Sequence, residues 1–163
     1  MTTVEEISIV DVPRTKRVDL DPILEESFEG WYLMHSKGTL RKIELVRAAM
    51  LSGKPVGLAM LKILQEGTGY VFYIAVSKAL RNKGIAKKLL NDALEIFKKS
   101  GVKVVFASVE EDNTPSEALF SSEGFSKTTF REVAKKYGHV HTLNMYREMV
   151  VVPGEVLLHK VIA

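Results

Sequence analysis

The most chemically loaded segment of the chain is Arg81-Asn82-Lys83-Gly84-Ile85-Ala86, which lies between an apolar run and the first turn of a long amphipathic stretch. The first backbone N–H groups of a helix lack intrahelical partners, and the macrodipole is positive there. Gly84 lets a ligand approach the backbone closely, and Arg81, Lys83 and Lys87 add positive charge, so a pyrophosphate is the natural guest. The segment lacks the second Gly and the Lys-Ser/Thr pair of a nucleoside-triphosphate loop, and the three glycines of a dinucleotide fingerprint. An ordinary loop with a helix-starting glycine is the plain alternative.

Other side chains invite chemical readings. The chain has no cysteine, which removes thiol nucleophiles, zinc thiolates and disulfides. Tyr70 and Tyr73 stand on the apolar run before the turn, which carries no carboxylate. Tyr70 could act on a proton as a general base, or pack in a core with its hydroxyl bonded to a neighbour. Glu110-Glu111-Asp112 could attract a cation, or serve as dipole-stabilising acids before a helix. Glu29, Trp31, Tyr32 and His35 could line an acceptor pocket or form a packed aromatic cluster. His139 and His141 alternate as on one strand face, but with no third ligand in view no metal is expected.

The elements that would position these residues follow from periodicity. Between Gly84 and Ser100 the apolar residues Ile85, Ala86, Leu89, Leu90, Ala93, Leu94 and Phe97 recur at helical spacing, with Lys and Asp/Glu on the other face. Tyr70–Ser77 before it and Val102–Val109 after it read as buried strands, which makes a βαβ unit. Glu6–Val12 reads as a first strand, Asp21-Pro22 as the start of a helix through Phe28, and Glu29–Thr39 as a loop or broken helix. Two runs, Ile43–Leu51 and Val56–Leu64, flank a turn at Ser52-Gly53-Lys54-Pro55. Thr114 and Glu117 form a capping box, with Pro115 at the start of a helix that Gly124 closes. Phe125–Val152 reads as two strands joined near Tyr137-Gly138, and Val156–Ile162 as a final one.

At 163 residues, 46% hydrophobic and 26% charged, the chain has the size and composition of one globular domain, 1–163, with 153–163 adding an extra C-terminal strand. Its net charge of +3 is spread along the sequence without a basic run, so no nucleic acid is expected as a partner. No apolar run is long enough to span a bilayer, and Met1–Glu6 carries two acids where a signal peptide is basic, so no membrane partner and a cytoplasmic location are expected.

Together the strand ending Ile74-Ala75-Val76, the Arg81–Ala86 turn, and Asn113 spaced with Leu119-Phe120 and Gly124-Phe125 resemble the GNAT superfamily of N-acetyltransferases over roughly Pro55–Phe125. The resemblance implies an α/β (α+β) fold, a mixed central sheet splayed beside its central strand and flanked by helices, with acetyl-CoA in the opening. It implies that Ile74 meets the acetyl carbonyl and Val76 the pantetheine amides. Arg81, Asn82, Lys83, Gly84, Ile85, Ala86 and Lys87 would hold the pyrophosphate, and Asn113 and Phe120 would contact the cofactor. Direct transfer to an amine on a small molecule or a protein is the implied reaction, and a homodimer is compatible with it. Phe120 stands where the family often has a tyrosine that protonates the departing thiolate, and Ser116 where alanine is common. The alternative from another class is a CoA-binding sensor or interaction module without catalysis.

Overall fold

Ser52 and Gly53 both have positive φ, the geometry of a two-residue hairpin turn that follows strand twist. In a computed structural model describing residues 6–163, this turn joins β2 (Leu45–Leu51) to β3 (Lys54–Ile63). β1 (Ser8–Asp11) runs antiparallel to β2, from Ser8↔Met50 to Asp11↔Arg47. Met1–Glu5, which hold one of the two acids that argued against a signal peptide, lie outside the described residues. β4 (Thr68–Val76) follows, then α3 (Ile85–Lys99), which buries Ile85, Leu89, Leu90, Ala93 and Phe97 as its periodicity predicts. Preceding β2 are α1 (Asp21–Ser27) and α2 (Gly30–Lys42). After α3 come β5 (Val104–Glu110), α4 (Thr114–Ser122), β6 (Ser126–Thr128), α5 (Phe130–Tyr137), α6 (His139–Met149) and β7 (Glu155–Val161).

The strands form one seven-stranded mixed sheet in the order β1-β2-β3-β4-β5-β7-β6. The chain divides into two compact units, one holding the residues through Lys62 together with Tyr73–Ile96, the other Ile63–Phe72 with Phe97–Ala163. In the first, Arg47 on β2 donates to both carboxylate oxygens of Asp92 on α3, at 2.9 and 3.0 Å. In the second, β4 pairs parallel with β5 from Thr68↔Val104 to Val71↔Ala107, and β5 pairs antiparallel with β7 along its whole length. Tyr70, Phe106, Val133, Met145, Met149 and Leu157 lie in its core. Among the described residues no helix is long and apolar enough to cross a membrane.

Gly69 is where this second unit tolerates no side chain. A Cβ there would lie 2.6 Å from the ring of Phe97, which is itself fully buried. Gly69→Ala is therefore expected to destabilise the protein by about 1–3 kcal/mol through overpacking, read as a lower midpoint in urea unfolding.

Three expectations are corrected. Glu29–Thr39 is not a loop: α2 is continuous, because Gly30 sits at its first position with positive φ and Gly38 faces open space. Phe125–Val152 is not two strands: only Ser126–Thr128 is extended, and α5 and α6 occupy most of the rest. The Thr129 hydroxyl caps α5 by accepting from the Glu132 N–H, and Thr142, Met145 and Met149 are buried at helical rather than alternating spacing. The cap of α4 is Asn113 and not Thr114, since the Asn113 side chain accepts from the Ser116 N–H.

Candidate active site

The turn that begins α3 is built from two residues in left-handed conformation, Asn82 (φ 63°) and Gly84 (φ 84°). The Gly84 carbonyl accepts from Lys88 N–H at 3.1 Å, the first bond of the helix. The N–H groups of Ile85, Ala86 and Lys87 consequently have no acceptor inside the helix, and they stand at its positive end. Lys83, Gly84 and Lys87 are exposed around them, and Ala86 is half-buried. Such a combination of backbone donors and ammonium groups suits an anion.

Arg81 serves this turn differently from its neighbours. Its Nε donates to the Val76 carbonyl at 3.1 Å, and Nη2 reaches the Glu26 carbonyl at 3.2 Å and Ser27 Oγ at 3.3 Å. Nearby, the Lys78 N–H donates to the Glu26 carboxylate at 2.6 Å. The guanidinium thus fastens the turn to the end of β4 and to the carbonyl end of α1, where a cation is favourable. What Arg81 gives the anion site is position more than a side-chain contact.

Strand β4 leads into the turn. The Ser77 N–H donates to the Val56 carbonyl at 2.8 Å, and the Ala75 carbonyl lies 3.1 Å from where a Cβ on Gly57 would stand. Backbone groups alternate between the two edges of a strand, so Ile74 and Val76 turn theirs to the edge away from β3. The pairing of β4 to β5 has already stopped at Val71.

The two tyrosines of β4 have unlike surroundings. Tyr70 is 2% exposed, and its hydroxyl forms a short hydrogen bond with Ser108 Oγ on β5. Ser108 in turn lies 3.5 Å from Glu155, whose carboxylate also accepts from the Val152 N–H at 2.9 Å. Tyr73 is half-buried, and its hydroxyl shares a 2.6 Å hydrogen bond with His35 Nδ1. Trp31 stacks on His35 with centroids 4.7 Å apart and planes within 7°, while Phe28 sets its edge against Tyr73. Burial holds the His35 imidazole below its ordinary pKa. The stack exists because α2 is a helix, in which residues four apart share a face. The i, i+4 spacing of Trp31 and His35 was the one signal in the sequence that pointed to it.

Asn113 and Phe120 stand in the second unit. Asn113 is exposed and spends its side-chain oxygen on the α4 cap, and Phe120 is buried with its ring edge-on to Phe125 at 5.1 Å. His139 and His141 do not share a face: on a helix, positions two apart diverge by about 200°, and they pack instead against Phe130 and Tyr137. Among the described residues no three His, Cys, Asp or Glu side chains gather as a metal site.

A family model described as acetyltransferase (GNAT) family matches residues 14–125. The chain belongs to the GNAT acetyltransferase family. Members of this family use acetyl-CoA as cosubstrate. Among curated relatives, the ribosomal protein bS18-alanine N-acetyltransferase of Haemophilus ducreyi is 33% identical over 70 residues, 43% of this chain and 47% of that one. The chloroplastic GCN5-related N-acetyltransferase 6 of Arabidopsis thaliana is 36% identical over 66 residues, 39% of this chain and 23% of that one. The matches thus span about half or less of those relatives.

Solved structures extend the likeness to nearly the whole chain. The ribosomal-protein-S18-alanine N-acetyltransferase from Escherichia coli has a TM-score of 0.72 at 17% identity, covering 96% of this chain and 94% of that one. The PaiA N-acetyltransferase from Thermoplasma acidophilum, in complex with coenzyme A, has a TM-score of 0.73 at 17% identity, covering 96% and 99%. At that identity the likeness is one of fold, and the mixed, open sheet of this GNAT acetyltransferase agrees with it.

Proposed function

We propose that this GNAT acetyltransferase moves the acetyl group of acetyl-CoA to a primary amine by direct attack. The observation that carries the reading is the α3 turn, where the first N–H groups of a helix and two exposed lysines come together next to the end of β4. In this reading Ile85, Ala86 and Lys87 bind the pyrophosphate through backbone N–H groups, with Lys83 and Lys87 adding charge and Arg81, Asn82 and Gly84 shaping the loop. Val76 pairs with the pantetheine amides and Asn113 and Phe120 border the same cosubstrate. The Ile74 N–H donates to the thioester oxygen and stabilises the oxyanion as the tetrahedral intermediate forms.

The amine nitrogen forms its bond to the carbonyl carbon, and collapse of the intermediate breaks the carbon–sulfur bond. Phe120 has no proton to give the leaving group, but a thiol with a pKa of about 8.5 departs tolerably as thiolate. The amine must itself lose a proton, and a tyrosine of β4, Tyr70 or Tyr73, is the group to receive it as it passes its own proton to a neighbour. The acetylation of an alanine amine by two of the similar proteins supports including an α-amine among the acceptors. An α-amine, at about 7.7–8.0, also needs less help from a base than a lysine near 10.4.

Calorimetry with acetyl-CoA, followed by thiol release against small amines, lysine peptides and alanyl N-terminal peptides, tests the reading. Saturable binding and turnover on at least one amine are expected. Absence of binding at millimolar acetyl-CoA, or binding with no turnover across the panel, defeats it.

A further inference from the structure

We infer that Tyr73 and His35 form a proton relay, in which the Tyr73 hydroxyl takes the proton of the acceptor amine while passing its own to His35. The inference rests on the acetyl-transfer reading above and assigns residues within that site. Three observations support it. Tyr73 immediately precedes Ile74, so its side chain originates about 3.4 Å along the strand from the backbone proposed to hold the acetyl oxygen. Its hydroxyl is already in a 2.6 Å hydrogen bond with an imidazole nitrogen, within the distance at which proton transfer operates. Trp31 then covers the face of that imidazole in a parallel stack, where an indole attracts the imidazolium more than the neutral ring.

Protonation states balance along this path. Neutral His35 carries its proton on Nε2 and accepts at Nδ1, so Tyr73 Oη–H donates to it. As the amine attacks, its N–H proton moves to Tyr73 Oη and the Tyr73 proton moves to His35 Nδ1. The phenol is regenerated and an imidazolium remains, which returns its proton to solvent after the product leaves. No phenolate accumulates, which matters because a tyrosine near pKa 10 is a poor reservoir of base at neutral pH.

Burial favours the neutral imidazole that must begin the cycle, and it is the cause of the His35 shift. The groups around the ring fit this. Tyr73 faces it from β4, Phe28 from the end of α1 packs on Tyr73, and Trp31 and Tyr32 lie one turn earlier on α2. Tyr70 differs, because its hydroxyl is held in the core by Ser108.

Steady-state transfer to the best amine of the panel, over pH 5–9, separates the outcomes. Tyr73→Phe is expected to lower kcat/KM on the order of 100-fold, with acetyl-CoA affinity by calorimetry within twofold of wild type. His35→Gln keeps a hydrogen-bond partner for Tyr73 but cannot take its proton. It is expected to lose roughly 10-fold in kcat/KM and to lack the second, steeper fall that imidazole protonation, below the ordinary imidazole range, adds to the decline from protonation of the amine itself. Heteronuclear NMR of the imidazole should show neutral His35 at pH 7, and its titration should move in Tyr73→Phe. Tyr73→Phe with unimpaired kcat/KM, a larger loss in Tyr70→Phe, a His35→Gln profile as steep at its acid end as that of wild type, or charged His35 at pH 7 each overturns the relay alone. Absence of turnover by the wild-type protein overturns the relay and the transfer reading together.

Discussion

Gly84→Glu is expected to weaken acetyl-CoA binding at least about 100-fold, equivalent to roughly 2.7 kcal/mol. Gly84 is exposed at the mouth of the α3 anion site, and its carbonyl makes the first helical hydrogen bond. A carboxylate there competes for the N–H groups of Ile85, Ala86 and Lys87 and repels the pyrophosphate. Charge-assisted hydrogen bonds are worth about 1.5–3 kcal/mol each, so losing two accounts for the effect. A second contribution comes from φ of 84°, which an L side chain adopts only with strain. Gly84→Ala separates the two, since it introduces strain without charge and should bind acetyl-CoA far more tightly than Gly84→Glu. Calorimetry on both variants decides it; equal affinity for wild type and Gly84→Glu would show that the phosphates lie elsewhere.

Arg17→Ala should produce the largest loss of stability, roughly 3–4 kcal/mol. Arg17 is only 3% exposed, and its guanidinium donates to the carbonyls of Val12, Leu40, Ile43 and Glu44. These carbonyls belong to the end of α2, its exit toward β2, and the segment before a 3-10 turn at Arg14–Leu20. Removing the side chain leaves them unsatisfied in a buried place, which costs more than losing an exposed ion pair such as Arg41–Asp21. Arg17→Lys should recover only part of the loss, because a single ammonium cannot span the spread of acceptors that a planar guanidinium reaches. Urea unfolding of the three proteins measures the series; a midpoint for Arg17→Ala equal to that of wild type would sink the account.

How much of this was legible in the sequence depended on periodicity. α3 announced itself because Ile85, Leu89, Ala93 and Phe97 repeat at four-residue steps against charged neighbours. β4 and β5 were readable as short apolar runs on either side of it. α2 was obscured by two glycines and by a weak apolar stripe, since it fully buries only Ser36 and Leu40. α5 and α6 are short and contain β-branched Val133, Val140 and Thr142, so local composition favoured strands. Tertiary burial of Met145 and Met149 decided otherwise.

The α3 turn was visible because its chemistry lies in consecutive residues. The pairing of Tyr73 with His35 was not, because it joins positions 38 apart through a helix whose existence the sequence left open. Arg81 shows the opposite limit. Its charge was expected to serve a bound pyrophosphate, whereas the guanidinium is bonded to Val76, Glu26 and Ser27.

That fastening makes the turn and the tyrosine parts of one mechanical linkage. Arg81 grips Glu26 and Ser27; the next residue, Phe28, places its ring against Tyr73. One arginine and one peptide unit thus connect the loop to the ring that packs on the β4 tyrosine. Substitutions at Arg81 will therefore disturb acceptor kinetics as well as cosubstrate affinity, and changing one substrate preference by altering this turn will tend to change the other.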